Sequence, residues 1–414
     1  MAIEFNPMRW PAAWKDSSAL EFLDGTGVNC LVFDGVDSMK RISDEARKRG
    51  LKAALVNSPP AGVAVIKGEW PGVKLNESGH MDRASAGPTG VPWIDSNGWK
   101  IRLTRQLREV STVWVDTGDP SIRRPRNSYL IAIADAAAHS GRWILSMDDR
   151  LAAGIVARRA DALETWTKIT GAVRFFATQG DWDGYCPEGV MGIISDFSGS
   201  NEFLSHELLN LVSRTNQQYL ILPKSNVSRD SFNRLRAVTY TDDQPPAGEL
   251  QQLILSFVRQ GGMLITGPSW GPPPGDLSKS DEHPRYELRS LGKGRVAIAR
   301  PDFEDPYLLA NDSAVLISHR YELLRFWNGG AVGSFLAMPA DRRRALVQLL
   351  FYAFIFPDSK PSVRVAGRYK SAKILTLQHP EPRAVEMEVQ DNAVELHLPA
   401  VSDYAALDLE VQSE

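Results

Sequence analysis

The chain has 414 residues, 43% of them hydrophobic and 23% charged, a composition typical of a folded globular protein and long enough for two or three domains. A formal net charge of -3 gives no basic footprint for nucleic acid, and no apolar run approaches the roughly 20 residues of a membrane span. Two cysteines, Cys30 and Cys186, exclude a disulfide framework and a cysteine-based zinc cluster.

The first half reads as repeated strand–helix units. The opening MAIEFNPMRWPAAW lacks a basic segment followed by an apolar one, so no secretory signal is expected in it; the compartment stays open. Val28–Asp34 is an apolar strand ending in a carboxylate, Ser38–Arg49 an amphipathic helix stopped by Gly50, and Leu51–Val56 the next strand. GVAVIKG gives another strand leading to Glu69-Trp70-Pro71-Gly72, and a polar, Gly-rich excursion, Asn76–Pro88, follows. VPWIDSNGW carries Asp95 between Trp93 and Trp99, a helix runs to Leu107, and STVWVD ends in Asp116. An Arg- and Pro-rich loop, Asp119–Arg126, leads to a helix over Ser128–Ser140, then RWILSMDD closes on Asp148 and Asp149, and one helical stretch is expected over Leu151–Thr178. Carboxylates at successive strand ends predict a TIM-type barrel, whose chemistry sits on the loops at those ends. A full barrel needs about 250 residues, more than precede the central unit, so a reduced or incomplete barrel is expected; an open α/β sheet is the alternative.

The centre of the chain, Gly189–Pro268, alternates strand and helix: GVMGIISDF, a helix with Leu204, Leu208, Leu211 and Val212 on one face, QYLILP, RAVTYTD, a helix over Glu249–Arg259, and a Gly-Gly turn into MLITGP. That is a doubly wound, flavodoxin-like α/β unit with strands buried on both faces. GKGRVAIAR is a further strand, and Pro306–Trp327 reads as mostly helical. From Ala331 short alternating runs such as SVRVAG and VELHL, with an Asp391-Asn392 turn between two of them, predict a small antiparallel β-sandwich. RALVQLLFYAF fits helix or strand by periodicity and is assigned to a strand by its setting. The domains expected are 1–186, 187–327 and 328–414.

FVRQGGMLITGP and LGKGRVAIA in the central unit, and the tail VELHLPAVSDYAALDLE, resemble segments of family-42 β-galactosidases, which combine a barrel, a glutamine-amidotransferase-like (class I) trimerisation domain and a small C-terminal β-domain. The resemblance covers roughly the last half of the chain. It implies a saccharide ligand and self-association through the α/β domain; no cofactor is implied. The sequence departs from those enzymes where it matters. Their acid/base Glu follows an Asn on a barrel strand, whereas here Asn76-Glu77 lies in the polar excursion and Asn201-Glu202 in the central unit. Nor does the central unit carry an elbow cysteine with a histidine partner, as amidotransferase chemistry requires; Cys186 precedes its first strand.

Glycoside hydrolysis uses two carboxylates, about 5–5.5 Å apart for retention and about 6.5–9.5 Å for inversion. The strand-end candidates are Asp116, Asp148, Asp149 and Asp34 for catalysis, with Glu69, Trp70, Trp93, Asp95 and Trp99 for saccharide binding, since sugars stack on indole faces. Aspartate is equally common as a helix cap after a strand. GDWDGY, with Trp182 between two acids, is expected to be a linker. Scattered histidines, and the absence of GxSxG, GxGxxG and P-loop patterns, speak against a metal, a serine nucleophile or a nucleotide. Two functional classes remain: a glycosidase, or a binding or assembly protein without turnover.

Overall fold

The computed structural model describes residues 5–73, 93–118, 124–277, 283–300, 305–353 and 360–412. The excursion Asn76–Pro88 and most of the Asp119–Arg126 loop lie outside the described residues.

The N-terminal part contains β1 (Pro7–Arg9), β2 (Cys30–Phe33), α1 (Val36–Lys48), β3 (Lys52–Leu55), β4 (Val63–Lys67), β5 (Gly72–Val73), β6 (Ile94–Asp95), α2 (Gly98–Leu107), β7 (Thr112–Asp116), α3 (Arg126–Ala138), β8 (Gly141–Trp143), α4 (Asp149–Val156) and α5 (Ala160–Ala177). Six of the strands are parallel. β1, β2 and β3 pair in sequence, as do β4, β7 and β8. The two halves join where Arg9 N donates to Leu145 O at 2.9 Å and Leu145 N to Pro7 O at 3.0 Å. The resulting order is β3-β2-β1-β8-β7-β4. Because side chains alternate along a strand, Cys30 and Val32 turn to one face with Ala54, Trp114 and Ile144, joined by Phe5, Val56, Val63 and Val65. All six strands or their immediate flanks thus contribute to one small interior filled by the fully buried Trp114. Burial pushes the Cys30 thiol up to about 12, as befits an inert core residue. The opposite face, with Leu31, Phe33, Val113 and Val115, packs on the surrounding helices. The stretch expected as one helix over Leu151–Thr178 is two, α4 and α5, because Arg158 takes a left-handed φ of 52° between them.

β9 (Cys186–Pro187) leads into β10 (Met191–Ser195), α6 (Glu202–Arg214), β11 (Tyr219–Pro223), β12 (Ala237–Tyr240), α7 (Gly248–Arg259), β13 (Met263–Thr266), β14 (Asp276–Leu277), β15 (Tyr286–Leu291), β16 (Gly294–Ala299) and α8 (Pro306–Ile317). The sheet order is β11-β10-β12-β13-β16-β15-β14, parallel through β16 and antiparallel beyond it. The second strand therefore lies outside the first, and β11 is an edge.

The last part holds β17 (Leu324–Trp327), β18 (Ala331–Met338), β19 (Arg344–Ala353), β20 (Ser362–Ala366), β21 (Tyr369–Thr376), β22 (Arg383–Ala384), β23 (Glu386–Gln390), β24 (Ala393–His397) and β25 (Tyr404–Val411). They form antiparallel sheets in the orders β17-β20-β24-β23 and β22-β21-β25-β19-β18-β9, which share one apolar core. RALVQLLFYAF is a strand through Ala353, and the Asp391-Asn392 turn joins β23 to β24. Pro306–Trp327 is mostly helical, as expected: α8 ends at Ser318, at φ 81°, a single 3-10 turn covers His319–Tyr321, and only Leu324–Trp327 is extended, pairing with β20. The outer face of the larger sheet packs on α3 and α5, where Phe176 meets Tyr404 edge-on with ring centroids 5.0 Å apart. This explains α3, whose sequence YLIAIADAAA is buried all round.

Candidate functional site

The C-terminal ends of β1, β2, β7 and β8 converge on Arg9. Its guanidinium, only 5% exposed, ion-pairs with Asp34 and, at 2.5 Å, with Asp116, while Nε donates to Ser146 Oγ at 3.3 Å. Burial works to lower the Arg9 pKa, and the bonds to Asp34 and Asp116 outweigh it, raising the pKa above its ordinary value. Asp116 also accepts from Gly118 N at 2.8 Å. Two of the candidate acids therefore do meet, with a cation between them. Asp148 is occupied differently: it caps α4 through Leu151 N at 2.9 Å and accepts from Tyr129 Oη at 2.7 Å. Asp149 is exposed in the first turn of α4. Trp70 packs edge-on to Trp143 at 4.8 Å and lies beneath the Arg124 guanidinium.

The other four sequence candidates share a cavity of about 670 Å³. Glu69, Trp93, Asp95, Trp99 and Lys100 line one side, and α6 supplies the other with Glu202, Phe203, His206, Glu207, Asn210 and Arg214. Trp93 Nε1 donates to Asp95 Oδ1 at 3.0 Å, and the Arg214 guanidinium lies 3.4 Å from the Trp93 ring centroid. Arg214 is 3.8 Å from Asp95 and donates to Asn210 Oδ1 at 3.0 Å. Burial lowers its pKa to about 10, and its Nη1 is buried without an acceptor among the described residues. Lys100 stands 3.6 Å from Glu69, and His206 stacks obliquely on Trp99 with a buried Nε2 that has no partner among the described residues. Phe203, 71% exposed, stands at the rim. The site thus combines indole walls, four carboxylates and, among the described residues, polar atoms with unused hydrogen-bonding capacity.

The cavity floor is fixed from below. Asn97 accepts from Glu69 N and donates to Glu69 O, both at 2.9 Å, clamping the backbone that carries that carboxylate. Asn97 is itself held by Asp135, a fully buried acid that accepts from Asn97 N at 2.9 Å, Ser96 Oγ at 2.6 Å and Tyr352 Oη at 2.7 Å. Sequence reasoning missed Arg9, Asn97, Asp135 and all of α6. One signal was present: Asp135 is the only charge inside YLIAIADAAA.

His139, one turn below Asp135, lies against Phe335 and bonds Asp135 O through Nδ1 at 2.9 Å. Gly98 leaves room for its ring, since a Cβ there would lie 2.3 Å from His139 Cε1. Burial lowers the His139 pKa from its ordinary 6.5 and nearby Arg102 lowers it further, against the opposing pull of Asp135. The unfolded chain therefore takes up this proton first as pH falls. Stability should drop as pH goes below 6.5, and urea unfolding should show a smaller drop in His139→Gln.

Among the described residues no three His, Cys, Asp or Glu side chains lie close enough to hold a metal, and no helix is long and apolar enough to cross a membrane.

No protein-family model matches the chain, and no curated protein matches its sequence. Solved structures do match. The architecture defines a glycoside-hydrolase-like fold, the one that the resemblance to family-42 β-galactosidases implied. A β-galactosidase from Bacillus circulans sp. alkalophilus superposes over 98% of this chain and 98% of its own, with a TM-score of 0.55 at 9% identity. An α-L-fucosidase isoenzyme 2 from Paenibacillus thiaminolyticus covers 99% and 100%, with a TM-score of 0.52 at 8% identity. The chain spans 65% of the family-42 β-galactosidase Gan42B from G. stearothermophilus, with 91% of this chain covered, 10% identity and a TM-score of 0.47.

Proposed function

We propose that the protein is a carbohydrate-active protein of the glycoside-hydrolase type, which takes a saccharide into the cavity between α2 and α6. We read its parts as a reduced TIM-type barrel (1–186), a flavodoxin-like, class I amidotransferase-like domain (187–327) and a β-sandwich (328–414), with α6 making the second domain a wall of the site. The observation that carries this reading is the gathering of Glu69, Trp93, Asp95 and Trp99 in one cavity of monosaccharide to disaccharide size. For hydrolysis we assign the acid and base or nucleophile roles to Glu69 and Asp95. Asp34, Asp116, Asp148 and Asp149 are the less favourable set, since Arg9 binds the first two, Asp148 caps a helix and Asp149 faces solvent.

A second reading, saccharide binding without turnover, draws support from the same Arg9: the strand ends where barrel hydrolases keep their chemistry are closed by an ion-paired cation. A panel of aryl glycosides, with calorimetry on the free sugars, separates the two. Under the first reading Glu69→Gln lowers kcat by about 10²–10⁴-fold while sugar affinity changes little. Under the second no glycoside turns over, yet Trp99→Ala weakens sugar binding by about tenfold. Absence of both turnover and binding defeats the proposal. Self-association through the α/β domain belongs to the same reading and is checked by sedimentation.

A further inference from the structure

A second cavity, of about 410 Å³, opens on the other side of α2, where the N-terminal part, β11 and β18 meet. The helix that presents Trp99 and Lys100 to the first cavity presents Arg102 and Arg105 to this one. Arg102 is half-buried as a residue, with its Nε enclosed. Its guanidinium lies 4.2 Å from the Tyr219 ring centroid and 5.2 Å from that of Phe335, and Nη2 donates to Tyr219 O at 2.5 Å. Nε is buried and has no acceptor, and no carboxylate pairs with Arg102 among the described residues. Arg105 likewise has no carboxylate partner there; it touches only the carbonyls of Ser111, Ser140 and Asp183. The nearest acid in the lining, Asp183, is turned to Arg142 at 2.6 Å.

An arginine cannot shed its proton to escape burial, so an unpaired one stays a desolvated charge in need of an anion. Burial lowers the Arg102 pKa, consistent with a cation short of compensation, and His139 in the same lining is disfavoured from adding a further charge. The planar fork of a guanidinium matches carboxylate and phosphate oxygens, and the nearby rings of Tyr219 and Phe335 restrict its orientation. We propose that this cavity is an anion site that takes the carboxylate or phosphate group of a monosaccharide-sized molecule, with Arg102 and Arg105 as its ligands. The site is separate from the saccharide cavity and does not depend on the chemistry assigned there.

Cys186 provides a direct readout. It lies in this lining and is exposed, whereas Cys30 is buried, so alkylation of the native protein reports on this cavity. With the full chain, glucuronate, glucose 6-phosphate and inorganic phosphate are compared with glucose and with sodium chloride at matched ionic strength. At least one of the three anions should slow Cys186 alkylation by about fivefold or more and raise Tm, while glucose and chloride do neither. Glucuronate against the two phosphates tells which oxyanion is preferred. Arg105→Gln and Arg102→Met should each weaken the effect about tenfold or more. Arg105, bonded among the described residues to carbonyls alone and part of no ion pair there, is the milder substitution should Arg102→Met unfold. Equal protection by glucose or chloride, protection by none of the anions, or full protection in Arg105→Gln would overturn the assignment.

Discussion

Arg9→Met is expected to destabilise the protein by about 3 kcal/mol, the lower end of the cost of removing one partner from a buried ion pair. The guanidinium is nearly inaccessible and binds two carboxylates and Ser146 at once, so methionine fills the volume of the stem and leaves the charges opposed. The figure is at the low end because Asp34 is 57% exposed and water can take over much of its solvation. The salt dependence identifies the cause. In the variant, two acids that shared one cation face each other, and counterions screen that repulsion. The variant should therefore lose less stability relative to wild type at high salt than at low salt. Arg9→Met combined with Asp116→Asn should be less unstable than Arg9→Met alone, because a neutral amide no longer opposes Asp34. Urea unfolding of the three proteins at low and high salt measures all of this. Loss of equal size at both salt concentrations would mean that packing, and not charge, is what Arg9 provides. The same variants weigh the two sets of candidate acids. Sugar binding that survives in the folded Arg9→Met protein fits the cavity of Glu69 and Asp95, whereas binding lost there fits the strand ends.

Local pattern made the strands and helices readable, and tertiary geometry accounts for what was not. VNCLVFD and STVWVD announce strands by their unbroken apolar character, but nothing in them says that Cys30, Val32 and Trp114 share an interior. The breaks at Arg158 and Ser318 carry no glycine or proline to signal them, so one helix was expected where two lie, and β17 was not picked out at the end of a mostly helical stretch. Within the site, Glu69, Trp93, Asp95 and Trp99 were recognisable as acids and indoles beside strand ends. The α6 half of the cavity was not, because Phe203, His206 and Arg214 meet those residues only after the chain has folded across more than a hundred positions. Arg9 was invisible for the same reason: its partners lie at the ends of other strands.

Asp135→Ala should have the second large effect, a loss of roughly 3 kcal/mol, because the buried donors of Asn97 and Tyr352 and the half-buried Ser96 hydroxyl each forfeit about 1 kcal/mol when their shared acceptor goes. Those donors come from three places: Ser96 in the cavity lining, the backbone of Asn97 beneath it, and Tyr352 in the outer sheet. Burial first, and then Asp135, holds the Tyr352 phenol well above its ordinary pKa, so it stays a proton donor throughout the working pH range. Tyr352→Phe removes a single donor and should cost about 1 kcal/mol. Added to Asp135→Ala it should cost almost nothing more, since Tyr352 has then already lost its partner, and that non-additivity is the signature of a shared network. The cavity lined by Glu69 and Asp95 supplies the readout that stability alone cannot. Asp135 lies outside the cavity lining, yet it fixes Asn97, which clamps Glu69 by both backbone atoms. Asp135→Ala should therefore weaken sugar binding by about tenfold under conditions where the variant is folded, through misplacement of the cavity floor. Tyr352→Phe, which leaves the Asn97 bonds intact, should bind as wild type does. Equal affinity in all three proteins would show that the network holds the domains together and leaves the cavity untouched.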